Sequence, residues 1–229
     1  MERIVILTGA GVSAESGLGT FRDKDGLWTR YDLAEVATPE GFAANPKLVH
    51  DFYNARRANT LDAEPNAAHH ALARLERVFS GEVLIVTQNV DDLHERAGSR
   101  QVIHMHGTLI GALCAGCAHR WPAPRVMDHK AACPQCSQIA TRPDIVWFGE
   151  IPYQMEEIQA ALFAADLFVS IGTSGEVYPA AGFVDLANAA GVETLEINLE
   201  PTPRPDLFDR VIEGPATQAV PAWVAEVLS

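Results

Sequence analysis

The chain has 229 residues, of which 48% are hydrophobic and 21% charged, and its formal net charge is −13. This length fits one large domain, or a large domain carrying a smaller one, and the acidic balance disfavours general binding to nucleic acid, which needs clustered Lys and Arg. No apolar run reaches the roughly 18 residues of a membrane span, and the run at residues 4–7 is too short for a signal peptide. We therefore expect a cytoplasmic monomer with no nucleic acid and no membrane partner.

Short apolar runs at residues 4–7, 83–86, 167–171 and 194–197 predict buried β-strands. Between them, the sequence predicts helices over 64–77, 156–165 and 180–190, with Pro65 near the first start and Gly191 after the last. Buried strands that alternate with helices are typical of an α/β fold. We predict a Rossmann-like parallel sheet with helices on both faces.

Two stretches interrupt this alternation. Residues 29–66 are helical and loop-like, and residues 112–143 contain all the cysteines and several prolines. We predict that the first forms a helical module and the second a zinc-binding module, and that together they build a smaller domain. The remaining segments, 1–28, 67–111 and 144–229, form the Rossmann-like domain in this division.

A glycine-rich loop follows the first predicted strand and reads Gly9-Ala10-Gly11-Val12-Ser13-Ala14. A G-x-G-x-x-A pattern in this place lets the backbone approach the pyrophosphate of a dinucleotide at the start of a helix, although glycine also follows many strands as a simple turn. The ribose-binding acid of ordinary dehydrogenases is missing, since Asp25 has the right spacing but belongs to a loop. The loop therefore indicates a dinucleotide site of another kind.

The cysteines form two C-x-x-C pairs with fifteen residues between them. This spacing favours one structural zinc ion, because four thiolates fill a tetrahedral shell and leave no position for chemistry. Two disulfides or free buried thiols are the alternatives. We expect the neighbouring His119 and His129 to lie on the surface. The predicted zinc ligands are Cys114, Cys117, Cys133 and Cys136.

Longer motifs carry a resemblance to a known family. In chain order they are Gly9 to Arg22, Gly26-Leu27-Trp28, Thr87-Gln88-Asn89-Val90-Asp91-Asp92-Leu93-His94, His106-Gly107, Gly172-Thr173-Ser174 and Asn198. This set resembles the sirtuins over essentially the whole chain, and is most similar to their short bacterial class III type. The resemblance implies an NAD⁺-dependent protein lysine deacylase (deacetylase, desuccinylase and demalonylase). Such an enzyme releases nicotinamide, free lysine and O-acyl-ADP-ribose.

The resemblance also implies the catalytic residues. The acyl carbonyl oxygen attacks C1′ of the nicotinamide ribose, and a base then activates a ribose hydroxyl. The family's His-Gly pair assigns this base to His106, ahead of His94, His104 and His119, and a histidine suits the role because its pKa lies near the working pH. For His104 a buried, hydrogen-bonded role is the simpler expectation. Asn89 and Asp91 join His106 as catalytic residues, although side chains in such a place also cap the following helix.

By the same resemblance NAD⁺ is the co-substrate, and Phe21 shields the reaction from returning nicotinamide while Arg22 supports the site. The implied NAD⁺-binding residues are Gly9, Ala10, Gly11, Ser13, Glu15, Ser16, Gly17, Phe21, Arg22, Trp28, Gln88, Asn89, Val90, Asp91, Gly172, Thr173, Ser174, Asn198, Leu199, Glu200 and Ala216.

Tyr53 and Arg56 are three residues apart, so they share one face of a predicted helix. A phenol and a guanidinium can bind a carboxylate together, and class III sirtuins use such a pair for succinyl or malonyl groups. Alternatively, the segment is an amphipathic helix with a half-buried Tyr and a solvated Arg. We expect Arg57 to be a solvated charge.

The segment after residue 142 resembles the sirtuin strand that pairs with an extended substrate peptide. The expected partners are acyl-lysine proteins. The implied substrate-binding residues are Val146, Phe148, Gly149 and Glu150, together with Tyr53 and Arg56.

Two other functions remain open from the sequence. A mono-ADP-ribosyltransferase would use the same NAD⁺ site, but it has no use for a carboxylate pocket at Tyr53 and Arg56. A non-catalytic NAD-sensing module would not need His106, Asn89 and Asp91 together.

Overall fold

The computed structural model describes residues 1–19 and 31–229. Its main element is a six-stranded sheet in the order β3-β2-β1-β7-β8-β9, in which every pair is parallel. This order corresponds to the 3-2-1-4-5-6 order of dinucleotide-binding sheets, which place ligands beyond the carboxyl ends of the strands. The strands are β1 (Arg3–Thr8), β2 (Glu82–Thr87), β3 (Val102–His104), β7 (Leu167–Ile171), β8 (Glu193–Asn198) and β9 (Arg210–Glu213).

Helices cover both faces of this sheet, as predicted. On β1, Ile4 and Ile6 face one apolar core beneath the helices α5 (Ala67–Val78) and α9 (Ala216–Val227). Val5 and Leu7 face a second core beneath α7 (Met155–Phe163) and α8 (Phe183–Ala189). Residues at even and odd positions therefore serve different cores, because side chains alternate along a strand. The helices are α1 (Ala10–Ser13), α5 (Ala67–Val78), α6 (Leu93–Ala97), α7 (Met155–Phe163), α8 (Phe183–Ala189) and α9 (Ala216–Val227).

The four predicted strands are all present, and three of them extend one residue further at each end. The helix predicted over 64–77 begins later, because Asn66 caps it and its side chain accepts a hydrogen bond from the backbone N–H of Ala68 at 2.9 Å. The helix predicted over 180–190 begins as a 3₁₀ turn at Ala180–Gly182. Strands β3 and β9 and helix α9 were not predicted.

A smaller unit packs beside the main sheet. It contains an antiparallel sheet in the order β5-β4-β6 and three helices that precede α5. The strand β4 crosses residue 112, where the sequence divides the domains, and that division stays a prediction. Within the described ranges, no helix is long and apolar enough to cross a membrane. The elements are α2 (Leu33–Val36), α3 (Pro39–Ala44), α4 (Pro46–Asp62), β4 (Gly107–Cys114), β5 (Arg120–Pro122) and β6 (Thr141–Ile145).

The prediction that Arg57 is a solvated charge is wrong. Its side chain is only 3% exposed and fastens α4 to the small sheet. The guanidinium donates to the carbonyl of Leu109 at 2.6 Å and to the side-chain oxygen of Asn54 at 2.8 Å, and it contacts the sulfur of Met127 at 3.2 Å. One residue along a helix turns the side chain by about 100°, so Arg57 faces β4 while Arg56 faces elsewhere.

Candidate functional site

The glycine loop packs directly on the end of the neighbouring strand β7. The N–H of Gly9 donates to the carbonyl of Ile171 at 3.0 Å, and that of Gly11 donates to the carbonyl of Gly172 at 2.8 Å. A Cβ on Gly11 would lie 2.7 Å from the Cα of Gly172, and Gly172 itself has a φ of +62°. Glycine is therefore required on both sides of this contact, at the carboxyl end of β1 where dinucleotide-binding sheets place their ligands.

Below this loop lies a buried polar cluster that involves Asn89 and Asp91. The amide nitrogen of Asn89 donates to the carbonyl of Gly9 at 3.1 Å and to the hydroxyl of Ser13 at 3.2 Å, and Ser13 donates to Asp91 at 3.3 Å. The ring of His69 completes the cluster, with its Nε2 at 3.4 Å from Ser13 Oγ. Asp91 also accepts from the N–H of Leu93 at 3.2 Å, so it supports the start of α6 as well.

The protonation states in this cluster follow from burial. Burial lowers the pKa of His69 to about 4, so its imidazole is neutral. Burial raises the pKa of the Asp91 carboxyl, against the hydrogen bonds from the Leu93 backbone and from Ser13. Fixed hydrogen-bond partners of this kind hold the two side chains in one orientation, as a reacting centre needs.

A second layer beneath the cluster was not foreseen from the sequence. Thr8 and Thr87 end two paired strands, and the Thr8 hydroxyl donates to that of Thr87 at 2.9 Å. The Thr87 hydroxyl accepts from the N–H of Asn89 at 3.0 Å, while Nε2 of His94 lies 3.0 Å from the Thr8 hydroxyl. The sequence signal for this layer was the threonine at the end of each of the strands β1 and β2, because a buried hydroxyl must find a hydrogen-bond partner.

His106 lies just after β3, in the turn that leads into β4. Its Nδ1 is 3.2 Å from the carbonyl of Gln88. Since a carbonyl oxygen only accepts, Nδ1 carries the hydrogen and Nε2 of the neutral ring presents a lone pair. Burial lowers the pKa of His106. The imidazole of His106 is thus an available base beside Gln88.

The four cysteines meet at one point in the small unit. Their sulfur atoms all lie within 4.8 Å of one another, with 3.7 Å between Cys114 and Cys136 and 3.8 Å between Cys117 and Cys133. A tetrahedral zinc ion with Zn–S bonds of about 2.3 Å sets its sulfurs about 3.8 Å apart, so this donor set fits zinc. All four cysteines are free in this structure, which contains neither of the two disulfides considered from the sequence.

The two C-x-x-C turns have the same local geometry. In each turn the N–H of the residue after the second cysteine donates to the carbonyl of the first at 2.9 Å. Those residues, Ala118 and Ser137, have φ values of +58° and +61°. These matching turns direct both pairs of sulfurs at a common centre. The ring of His119 stacks on Trp121, with 5.5 Å between the ring centroids.

Comparison with known proteins agrees with this geometry. The Sir2 family profile matches residues 9–179. An NAD-dependent protein deacylase of Caulobacter vibrioides is 60% identical over 99% of this chain and 97% of its own length. The chain belongs to the Sir2 family.

Solved structures of Sir2 family members have the same fold. A complex of a Sir2 homologue with NAD has a TM-score of 0.91 at 40% identity, and the match covers 99% of this chain and 91% of that one. Sir2 bound to an acetylated peptide has a TM-score of 0.83 at 30% identity, covering 99% and 94%.

In this Sir2 family chain, some of the residues predicted to bind NAD⁺ make hydrogen bonds to other parts of the protein. Glu15 is engaged elsewhere, since its carboxylate accepts from the backbone N–H of Thr217 at 3.0 Å and from its hydroxyl at 2.7 Å. Ser16 accepts from Asn66 at 3.0 Å. Both side chains therefore fasten the end of the glycine loop to the helices α9 and α5. The residues Phe21, Arg22 and Trp28 lie outside the described ranges.

The other part of the predicted NAD⁺ site lies at the ends of β7 and β8. The side-chain nitrogen of Asn198 donates to the carbonyl of Thr173 at 2.7 Å, which joins the loops that follow these two strands. The side chain of Leu199 is 68% exposed beside it. This arrangement agrees with the place where Rossmann-like sheets bind ligands, and the individual contacts with NAD⁺ stay predictions.

Tyr53 and Arg56 share one face of α4, but their surroundings differ from a surface helix. Tyr53 is 1% exposed, and its phenol oxygen accepts from the indole N–H of Trp147 at 3.0 Å. The guanidinium carbon of Arg56 lies 5.8 Å from the centroids of the Phe52 and Tyr53 rings. Arg56 is half-buried, and burial lowers its pKa, while the charge of Asp91 raises it. Asp91, in the buried polar cluster, therefore favours the charged form of this guanidinium.

The segment predicted to bind the substrate peptide is held at both ends. The N–H of Val146 donates to the carbonyl of His106 and that of Phe148 to the carbonyl of Ala37, both at 2.9 Å. Gly149 is exposed and has a φ of +90°. The segment thus runs from the predicted base to the helical part of the small unit.

Glu150 has a bracing role in this segment. Its carboxylate accepts from the Arg142 guanidinium at 2.6 and 2.8 Å and from the N–H of Trp147 at 2.8 Å. The same guanidinium lies 3.4 Å from the centroid of the Trp147 ring. These contacts fix the turn from Trp147 to Glu150, and a direct contact of Glu150 with substrate stays a prediction.

Proposed function

We propose that this chain is an NAD⁺-dependent protein lysine deacylase that removes acetyl, succinyl and malonyl groups. The observation that carries the proposal is the fixed tautomer of His106: its Nδ1 hydrogen is directed at the Gln88 carbonyl, which leaves the Nε2 lone pair available. Membership of the Sir2 family and the deacylase name of the Caulobacter vibrioides relative support it. The protein acts as a cytoplasmic monomer, without nucleic acid or membrane partners.

In this proposal NAD⁺ supplies the ADP-ribose that accepts the acyl group, and nicotinamide and free lysine are the other products. His106 takes the proton of a ribose hydroxyl through Nε2, because its Nδ1 hydrogen is already committed to the Gln88 carbonyl. Asn89 and Asp91 position the ribose and the nicotinamide amide from the buried cluster with Ser13. The glycine loop binds the pyrophosphate with backbone N–H groups.

The acyl group lies against Tyr53 and Arg56 in this proposal. Burial raises the pKa of the Tyr53 phenol, so it keeps its proton and can donate to a carboxylate. The bond from Trp147 uses the phenol as an acceptor and leaves its hydrogen for the ligand. Arg56 adds the charge and a two-pronged fork, which a succinyl or malonyl carboxylate matches.

The acyl-lysine reaches the site as part of an extended peptide. The segment Val146 to Gly149 offers backbone groups to it, a mode of recognition that depends little on sequence. The solved structure of Sir2 bound to an acetylated peptide supports an acyl-peptide substrate by similarity. Zinc has a structural role here, since four cysteine ligands leave no open position.

The test measures NAD⁺-dependent release of nicotinamide with paired acetyl-lysine and succinyl-lysine peptides. We expect turnover on both peptides, and loss of turnover in His106→Ala with ADP-ribose binding retained. If neither peptide reacts while ADP-ribose still binds, the proposal is wrong and an NAD-sensing module is favoured. Release of nicotinamide with ADP-ribose attached to the protein partner would instead indicate an ADP-ribosyltransferase.

A further inference from the structure

Two histidines hold two consecutive carbonyl groups of the segment that contains Asn89. Nδ1 of His106 lies 3.2 Å from the carbonyl of Gln88, and Nδ1 of His104 lies 3.1 Å from the carbonyl of Asn89. The arrangement follows from the sheet, because His104 pairs with Thr87 at the end of the parallel strands β3 and β2. The residues that continue each strand therefore meet side by side.

His104 differs from His106 in its second nitrogen. Its Nε2 lies 2.7 Å from the carboxylate of Glu95, so both ring nitrogens face oxygen atoms that only accept. A neutral imidazole has one N–H and would direct its lone pair at one of these oxygens. The geometry therefore requires a hydrogen on both ring nitrogens of His104. His106 needs a hydrogen only on Nδ1, for its bond to the Gln88 carbonyl.

The electrostatic surroundings of His104 support a charged ring. Burial lowers its pKa, but the hydrogen bond and the charge of Glu95 outweigh burial and raise the pKa above the usual histidine value. The ring is 16% exposed and borders a cleft of about 490 Å³. The titratable and charged groups that face it are Glu95 and His94 from α6, Asp91 from the loop, Arg120 from β5, Asp144 from β6 and Tyr153.

We propose that His104 is a positioning residue for the segment 88–91: as an imidazolium anchored by Glu95, it holds the Asn89 carbonyl and so fixes the orientation of Asn89 and Asp91. The inference rests on the proposed deacylase function. In this proposal His104 acts through the backbone of Asn89 and not by direct contact with NAD⁺ or the acyl-lysine.

This role gives a specific dependence on pH. The pKa of His104 is raised, so the charged ring is present below that pKa and is lost as the pH rises through it. Above it the ring must give up its bond to Asn89 or to Glu95. We expect kcat to fall on the alkaline side, while KM for the acyl-peptide changes little because the peptide contacts other segments.

Two substitutions of similar size separate the two bonds. The side-chain nitrogen of Asn lies where Nδ1 of histidine lies, so His104→Asn keeps the bond to Asn89 and gives up Glu95. Gln reaches the position of Nε2, so His104→Gln keeps Glu95 and gives up Asn89. We expect His104→Gln to lower kcat roughly 10- to 100-fold, the range for one lost hydrogen bond from a charged donor, and His104→Asn to lower it about 2-fold at most. Both should lack the alkaline decline.

The experiment measures kcat and KM from pH 6 to about pH 9 for the wild-type enzyme, both variants and Glu95→Gln, alongside ¹⁵N NMR of the histidine rings. A wild-type His104 ring that is charged at neutral pH, and that loses its proton at lower pH in Glu95→Gln, is the expected result. Equal kcat in His104→Gln and His104→Asn, or a neutral His104 ring at neutral pH, would overturn the inference. Absence of wild-type turnover would instead refute the deacylase function, and the NMR result would still decide the protonation of His104.

Discussion

The indole N–H of Trp147 donates to the phenol oxygen of Tyr53 at 3.0 Å, which joins the loop after β6 to the helix α4. Both side chains are almost fully buried, with 3% and 1% exposure. The phenol is therefore oriented before any ligand arrives, with its hydrogen available beside the half-buried Arg56. A fixed donor of this kind favours tight binding of a carboxylate, because little ordering is left for the binding step.

This arrangement predicts a selective effect of Arg56→Met. Desuccinylation should fall roughly 10- to 100-fold in kcat/KM, the range for one or more charged hydrogen bonds, while deacetylation should change only a few-fold. The measurement is kcat/KM on matched succinyl and acetyl peptides. Arg56→Lys is the matched control, since it keeps the positive charge and loses the two-pronged guanidinium. Its kcat/KM for the succinyl peptide should lie between those of the wild type and Arg56→Met. Equal losses on both peptides would remove Arg56 from the acyl pocket.

The sequence predicted the parts of the fold that depend on local pattern. The four buried apolar runs are all strands, since each contains enough consecutive apolar residues to identify it. Strand β3 has only three residues and ends in His104, and α9 contains Pro221, which usually argues against a helix. Their positions depend on neighbouring strands and helices, which a single sequence does not show.

The candidate site was predictable to a similar degree. Motifs identified His106, Asn89 and the cysteines, because chemistry or metal binding restricts those residue types. The bond from Arg57 to the Leu109 carbonyl and the approach of His69 to Ser13 join distant parts of the chain. No spacing in the sequence indicates which face of a helix meets which strand, so these contacts required the structure.

The lowered pKa of His106 predicts the acid side of the pH profile. A general base must be unprotonated, so activity is complete above its pKa and falls as the pH drops through it. Because burial lowers that pKa, the acid limb of kcat/KM should lie below the ordinary histidine value of about 6.5. The measurement is the pH dependence of kcat/KM for the acetyl peptide. An acid limb above that value would contradict the buried, neutral state of His106.

The contact between Gly11 and Gly172 predicts the effect of Gly11→Ala. The added Cβ would lie 2.7 Å from the Cα of Gly172 and 2.8 Å from its carbonyl oxygen, so one of the two loops must move. We expect the affinity for ADP-ribose to fall roughly 10-fold or more, in line with the cost of overpacking a rigid contact. Calorimetric titration with ADP-ribose measures this directly.

Gly182→Ala is the control for that variant. The nearest atom to its added Cβ is a ring atom of Tyr178 at 3.6 Å, an ordinary contact. It should bind ADP-ribose as the wild type does. If Gly11→Ala binds equally well, the glycine loop does not approach the ligand as closely as its packing on Gly172 indicates.

Loss of zinc should affect the reacting centre as well as the small unit. Strand β4 begins at Gly107, directly after His106, and ends at the zinc ligand Cys114. Four thiolate bonds to zinc contribute on the order of 10 kcal/mol to folding in small zinc modules, and this module has few buried apolar residues of its own. Cys117→Ser should therefore lower both the zinc content and the thermal unfolding temperature. Deacylase activity should fall with them, because β4 no longer holds the backbone of His106.

Ile139→Ser is the matched control for Cys117→Ser, since Ile139 lies in the same module and is 68% exposed. It should keep its zinc, its unfolding temperature and its activity. Removal of zinc from the wild-type protein by a chelator should reproduce the effect of Cys117→Ser, and added zinc should reverse it. Full activity in a zinc-free protein would show that the bonds of His106 to Gln88 and Val146 hold it without support from the zinc end of β4.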